Sequence, residues 1–189
     1  MTAEEIFAKI NAHMIEGIMY HDQMANYFDF LSLDGYKRLH EYHAIEEAAA
    51  RRTVNRYFIN HFDMLIPEIA VTDPKAIPDS WRRVSRADVD ISTKRRAVRD
   101  GFTRWREWET ETKRLYEQSY KDLCDIGEIA AACKVKELAC DVDMELKCAD
   151  RMYIMLYSVD YDINTIYLCQ DGLHEEYANK TKEIGVDIC

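Results

Sequence analysis

The chain has 189 residues and a mass of 22.2 kDa, with 25 Lys and Arg against 35 Asp and Glu and a formal net charge of −10. Apolar residues make up 48% and charged residues 32%, ordinary globular usage that excludes a disordered chain, and no apolar run reaches the roughly 20 residues that span a bilayer. Six glycines and three prolines are too few for the many tight turns of an all-β sandwich or barrel, so an all-α chain forming a single domain over 1–189 is expected.

From Thr2 to about Leu31, Ile6, Ile10, Met14, Ile18, Met24, Phe28 and Leu31 recur at spacings of three and four, which predicts one amphipathic helix with Thr2 and Glu5 as its capping box. Ser32-Leu33-Asp34-Gly35 breaks it, and a second helix is expected from Tyr36 to about Met64, completing a hairpin over 2–64. The stretch 66–91 holds all three prolines and reads as a long crossover. A second hairpin is expected over 92–160: Ser92 caps a helix carrying Phe102, Trp105, Trp108, Tyr116 and Leu123. Asp125-Ile126-Gly127 turns the chain, and a fourth helix carries Leu138, Val142, Ala149, Met152 and Leu156. A short C-terminal helix over 164–184, ending at Gly185, completes the reading. Two long hairpins joined by one long connection make a four-helix bundle with a single crossover.

The acidic balance argues against a nucleic-acid partner. The basic stretch from Trp81 to Arg106 interleaves Asp79, Asp88, Asp90 and Asp100 with its arginines, the pattern of a solvated face. All six cysteines lie at or after Cys124, with no CxxC pair, and Met1-Thr2-Ala3-Glu4-Glu5 does not open a signal peptide. Reduced thiols in a cytoplasm are expected, with no membrane attachment and no cysteine-bound zinc cluster.

Helical phase picks out ionisable residues on the apolar stripes. His21 lies in line with Ile10, Met14 and Phe28, whereas Glu16 is turned about 120° away. On the second helix His43, Glu47 and His61 are central, with His40 and Glu46 about 60° to either side. Glu109 falls among Trp105, Thr112 and Tyr116, and Glu145 between Leu138 and Met152. Residues equidistant from a hairpin turn lie at one level. Glu109 and Glu145 are equidistant from Gly127, and His21 and Glu47 from Asp34. Carboxylates crowded in an apolar core cost several kcal/mol each unless protonated or neutralised. Carboxylate and imidazole donors together suit iron, with manganese and zinc as alternatives. The expected metal ligands are therefore Glu47, Glu109, Glu145, His43 and His21. The alternative is a metal-free bundle with a structural or interaction role, its glutamates hydrogen-bonded to tyrosines and histidines.

Several of these residues, in this order, resemble the ferritins and the wider ferritin-like superfamily over most of the chain. Gln23-Met24, then Leu33-Asp34-Gly35-Tyr36, then Glu46-Glu47 eleven residues after the glycine are similar to the ferritin second helix and its approach. Phe102, Trp105 and Glu109 resemble the ferritin phenylalanine, aromatic and ligand glutamate at the same spacing. Glu145 stands where the fourth helix carries its glutamate, and Thr165-Ile166-Tyr167-Leu168 is similar to the start of the short fifth helix. The resemblance implies a dinuclear iron site, ferroxidase-like oxidation of ferrous iron by dioxygen or peroxide, and assembly into homo-oligomers, dimers or larger. This sequence departs from the pattern at two ligand positions, where it carries Met14 and Ala50. The resemblance carries over to Glu47, Glu109 and Glu145, while His43 and His21 rest on helical phase.

Overall fold

The computed structural model of the chain describes residues 1–183, without the side chains of 181–183. Five α-helices run in the expected order, and the described residues contain no strand. Helix α1 (Ala3–Phe30) opens on the expected capping box, in which the Glu5 amide donates to Thr2 Oγ1 at 3.3 Å and the Thr2 amide to Glu5 Oε2 at 2.9 Å. Two donors that the helix leaves orphaned are thereby satisfied. The chain reverses at Ser32, whose φ of 55° is left-handed. Helix α2 (Asp34–Phe62) begins two residues before the expected Tyr36 and ends on left-handed Asp63, φ 54°.

The crossover from 63 to 90 is irregular except for two 3₁₀ turns, Asp79–Trp81 and Arg86–Asp88. Helix α1 holds it by its polar edge. Glu16 Oε1 accepts the Thr72 amide at 2.7 Å, and Gln23 donates to Asp73 at 2.8 Å while accepting the Ala76 amide at 2.9 Å. The Arg86 guanidinium closes the far end on the Asp29 and Phe30 carbonyls, at 2.8 and 3.1 Å.

Helix α3 (Ile91–Asp125) is capped by Asp90, not by the expected Ser92. The Asp90 backbone is extended and its carboxylate accepts the Thr93 amide at 2.7 Å, whereas Ser92 already lies inside the first turn. Gly127, at φ 84°, supplies the left-handed turn into α4 (Ile129–Ser158). Arg106 with Asp150 and Lys113 with Asp143, each 2.5 Å apart, fix the register of that hairpin. Helix α5 (Ile163–Glu183) starts one residue before the expected 164, and the expected end at Ile184 and Gly185 lies outside the described residues.

Helix α1 packs on α2, α3 on α4, α1 on α3, and α5 along α2. The α5 contact is close because Gly35 has no side chain: a Cβ there would stand 2.0 Å from the Gln170 carbonyl oxygen. Beside it Tyr36 Oη donates to the Ile166 carbonyl at 3.0 Å. The apolar interior is split in two. One cluster, around Phe28, Tyr36, Phe102, Trp105 and Ile166, fills the end near the α1–α2 turn, and the other, around Phe7, Met14, Val54, Tyr116 and Leu138, fills the opposite end. On α2, α3 and α4 the candidate ligands fall between the two clusters, and on α1 His21 lies at the edge of the first, beside Tyr20.

Candidate metal centre

The layer between the clusters is polar. His21, His40 and Glu109 are at most 1% exposed, His43 6% and Glu47 9%. Glu145 stands at the rim, its side chain 25% exposed, with Glu46 outside it at 45%. Each helix delivers its residues here because polar side chains interrupt the apolar stripe that faces the core: His21 on α1, His40, His43 and Glu47 on α2, Glu109 on α3 and Glu145 on α4.

The register of the first hairpin differs from the expected one. The pivot is Ser32 rather than Asp34, and this two-residue shift moves every cross-helix partner by four. His21 therefore stacks on His43, with ring centroids 5.2 Å apart, and Glu47 lies against Gly17, where a Cβ would meet its carboxyl carbon at 3.2 Å. His21 Nδ1 also shares a hydrogen bond with His40 Nδ1 at 3.0 Å, and His21 Nε2 lies 3.6 Å from Glu109 Oε1. Trp105 Nε1 donates to the same Glu109 oxygen at 2.8 Å. On the other side, His43 Nδ1 lies 3.7 Å from Glu46 and 3.9 Å from Glu145. One donor atom from each of His43, Glu46 and Glu145 fits within 4.8 Å of the others.

Two expectations fail on placement. His61, expected at the centre of its stripe, is exposed and 3.7 Å from Glu128, because α2 by that point has passed the end of the layer. Helical phase puts His40 on the flank, yet it is wholly buried, stacked on Phe28 at 5.4 Å and edge-on to Trp105 at 5.1 Å. Its spacing of three from His43 was the signal available in the sequence. Met14 and Ala50, at the two departing ligand positions, pack with the second apolar cluster, so the polar layer lies two turns from Met14 along α1, at His21, and one turn from Ala50 along α2, at Glu47.

Electrostatics match this geometry. Burial pushes the Glu109 carboxyl up to about 8, with the Glu47 charge adding to it and the Trp105 bond opposing. Burial raises Glu47 to about 7, helped by the charge of Glu46. Glu145 is raised well above the usual carboxylate range by burial and then by Glu109, Glu47 and Glu46. Burial lowers His43 to about 4, with Lys180 contributing, and holds His21 and His40 neutral. His21 Nε2 and both ring nitrogens of His43 are buried with no hydrogen-bond partner among the described residues. Buried donors in this condition cost free energy unless something binds them. These orphaned nitrogens, beside three carboxylates of raised proton affinity, are a donor set that fits a divalent cation.

The layer opens to solvent through a cavity of about 1220 Å³ between α2 and α4, lined by His43, Glu46, Glu47, Tyr116 and Glu145. Two further lining residues, Tyr177 and Lys180, come from α5. No helix among the described residues is long and apolar enough to cross a membrane.

No family model matches the sequence, and a search of curated proteins finds no relative. Solved structures do match. An engineered closed form of the Archaeoglobus fulgidus ferritin superposes with a TM-score of 0.74 at 15% identity, over 92% of this chain and 96% of that one. The open-pore ferritin from the same archaeon gives 0.73 at 16%, over 91% and 95%. A PmFTN variant soaked in iron gives 0.71 at 12%, over 89% and 96%. An all-helical bundle with one crossover and a fifth helix, matched along nearly its whole length by these proteins, has the fold of the ferritin-like superfamily.

Proposed function

We propose that the chain binds a first-row transition-metal cation, iron before manganese or zinc, in its polar layer. Glu47, Glu109, Glu145, His43 and His21 are the ligands, and Glu46 joins them from the rim. The observation that carries this reading is the meeting of three carboxylates and the unpartnered His21 and His43 nitrogens in one layer between two apolar clusters. Mixed carboxylate and imidazole donors favour iron over magnesium or calcium. Bound iron would supply electron exchange with dioxygen or peroxide, the basis of a ferroxidase-like activity. The chain's own part is to hold the donors and to keep water from the inner face. Trp105 fixes one Glu109 oxygen, and His40 orients His21 through the Nδ1 bond, leaving His21 Nε2 directed at the layer. Exposed Ile154, Tyr157 and Leu168 on α4 and α5 support association with a second copy in a homo-oligomer.

A second reading, a metal-free bundle with a structural role, is favoured by the apolar Met14 and Ala50. Elemental analysis separates the two. Protein purified without chelator is expected to carry stoichiometric metal, and a Glu47→Ala, Glu109→Ala variant to lose it while keeping its helical circular dichroism. A wild-type protein that holds no metal, and whose melting temperature ignores anaerobic ferrous iron, leaves the second reading standing.

A further inference from the structure

Helix α5 reaches the cavity mouth with its last described turns. Tyr177 is 5% exposed and packs against Tyr42 and His43, with ring centroids 5.4 and 6.4 Å apart. Lys180, one turn later, lies over these rings, its Nζ 4.4 Å from the Tyr177 centroid and 5.7 Å from that of Tyr42, and pairs with Glu176 at 2.7 Å. It lines the same cavity as His43, Glu46 and Glu145. Its ammonium is the only Lys or Arg charge besides Arg52 among the described lining residues. Two aromatic faces and Glu176 hold a cation at the doorway of a cluster otherwise rich in negative charge.

From this placement we propose that Lys180 is a built-in counter-cation of the rim subsite His43–Glu46–Glu145, and that a metal ion must displace it to bind there. The proposal rests on the metal reading above and adds a competitor to it. A divalent ion alone balances the two rim carboxylates, Glu46 and Glu145, so a nearby ammonium adds only repulsion to it and the two cations oppose one another. Displacement costs the contacts with Tyr177, Tyr42 and Glu176. Those contacts anchor the end of α5, so metal binding at the rim loosens that end. The occupant that wins is set by charge density: a divalent ion gains more from the carboxylates than an ammonium does, while a monovalent ion does not.

The test is titration with manganous ion, which air does not oxidise, read as loss of the free-ion electron paramagnetic resonance signal. Lys180→Met, which keeps the stem over the rings, is expected to lower the manganese Kd by about twofold to fivefold, the scale of one half-exposed ion pair. Lys180→Arg is expected to bind as wild type does. The gain should shrink as salt rises from about 0.02 M to about 0.5 M. Amide exchange over residues 174–180 should speed up on manganese binding in wild type and be insensitive to it in Lys180→Met. Equal affinities for wild type and Lys180→Met, or weaker binding by the variant, overturn the inference while leaving the metal centre intact. Uptake by neither protein overturns both. Should Lys180→Met fail to fold, the exchange of 174–180 in the wild type alone decides: no change on metal binding rejects the displacement.

Discussion

At the scale of single residues, the site depends as much on what is missing as on what is present. Gly17 faces the Glu47 carboxyl, and a Cβ at 3.2 Å from its carbon and 3.3 Å from its oxygen is closer than ordinary contact. Glu47 is the end of a flexible side chain bordering a cavity, so it can yield. Gly17 also sits inside a helix, where glycine costs up to about 1 kcal/mol relative to alanine. Gly17→Ala is therefore expected to raise the melting temperature of the metal-free protein by about 2–4 °C while weakening metal affinity by about tenfold. Thermal melts and metal titrations of the same preparation check both signs. A loss of stability would show that Glu47 has no room to move. None of this was readable from the sequence, because Gly17 is silent in any motif and its role follows from a cross-helix register that turns on left-handed Ser32.

At the scale of elements, local signals in the sequence were strong wherever a cap or a turn residue sets the boundary. Thr2 and Glu5 announced α1, the prolines at 67, 74 and 78 announced the crossover, and Gly127 announced the turn into α4. The signals failed by one or two residues where two polar residues competed for a cap, as with Asp90 and Ser92, and the nearer carboxylate won. The docking of α5 along α2 had no local signature at all, since it depends on the absence of a side chain at Gly35 opposite a backbone carbonyl 135 residues away. That contact can be broken selectively. A Cβ 2.0 Å from the Gln170 oxygen and 2.8 Å from its carbonyl carbon meets backbone, which cannot rotate aside. Gly35→Ala is expected to cost about 1–3 kcal/mol and to expose α5 to limited proteolysis between 163 and 180, with α1 to α4 retaining their helical signal. A variant as protease-resistant as the wild type would mean that α5 docks elsewhere.

For the whole molecule, the organising feature is a polar layer between two apolar clusters, a division that costs stability unless something compensates it. In the metal-free protein the cost depends on pH. Glu47 and Glu109 have carboxyl groups raised to about 7 and about 8, well above the roughly 4.3 of an unfolded glutamate. A group that binds its proton more tightly when folded stabilises the fold at low pH and loses that contribution as pH rises through its folded value. The lowered histidines of the layer offset this loss below roughly pH 6.5, the unfolded histidine value, so chelator-treated protein is expected to grow less stable from there to about pH 8, the folded Glu109 value, the opposite of the usual behaviour of paired surface carboxylates. The Glu47→Gln, Glu109→Gln variant, which keeps the shape of the neutral form, should flatten that slope. On the proposed reading, ferrous or manganous ion supplies the missing compensation, and at about a hundredfold excess over its Kd should stabilise the wild type by about 2.7 kcal/mol, or about 5–10 °C in melting temperature. The glutamine variant should show no such shift. If instead the glutamates are held neutral by their neighbours in a purely structural layer, metal leaves both melts unchanged while the pH slope persists. The pair of measurements therefore separates a layer built for a cation from one that merely tolerates protonated acids.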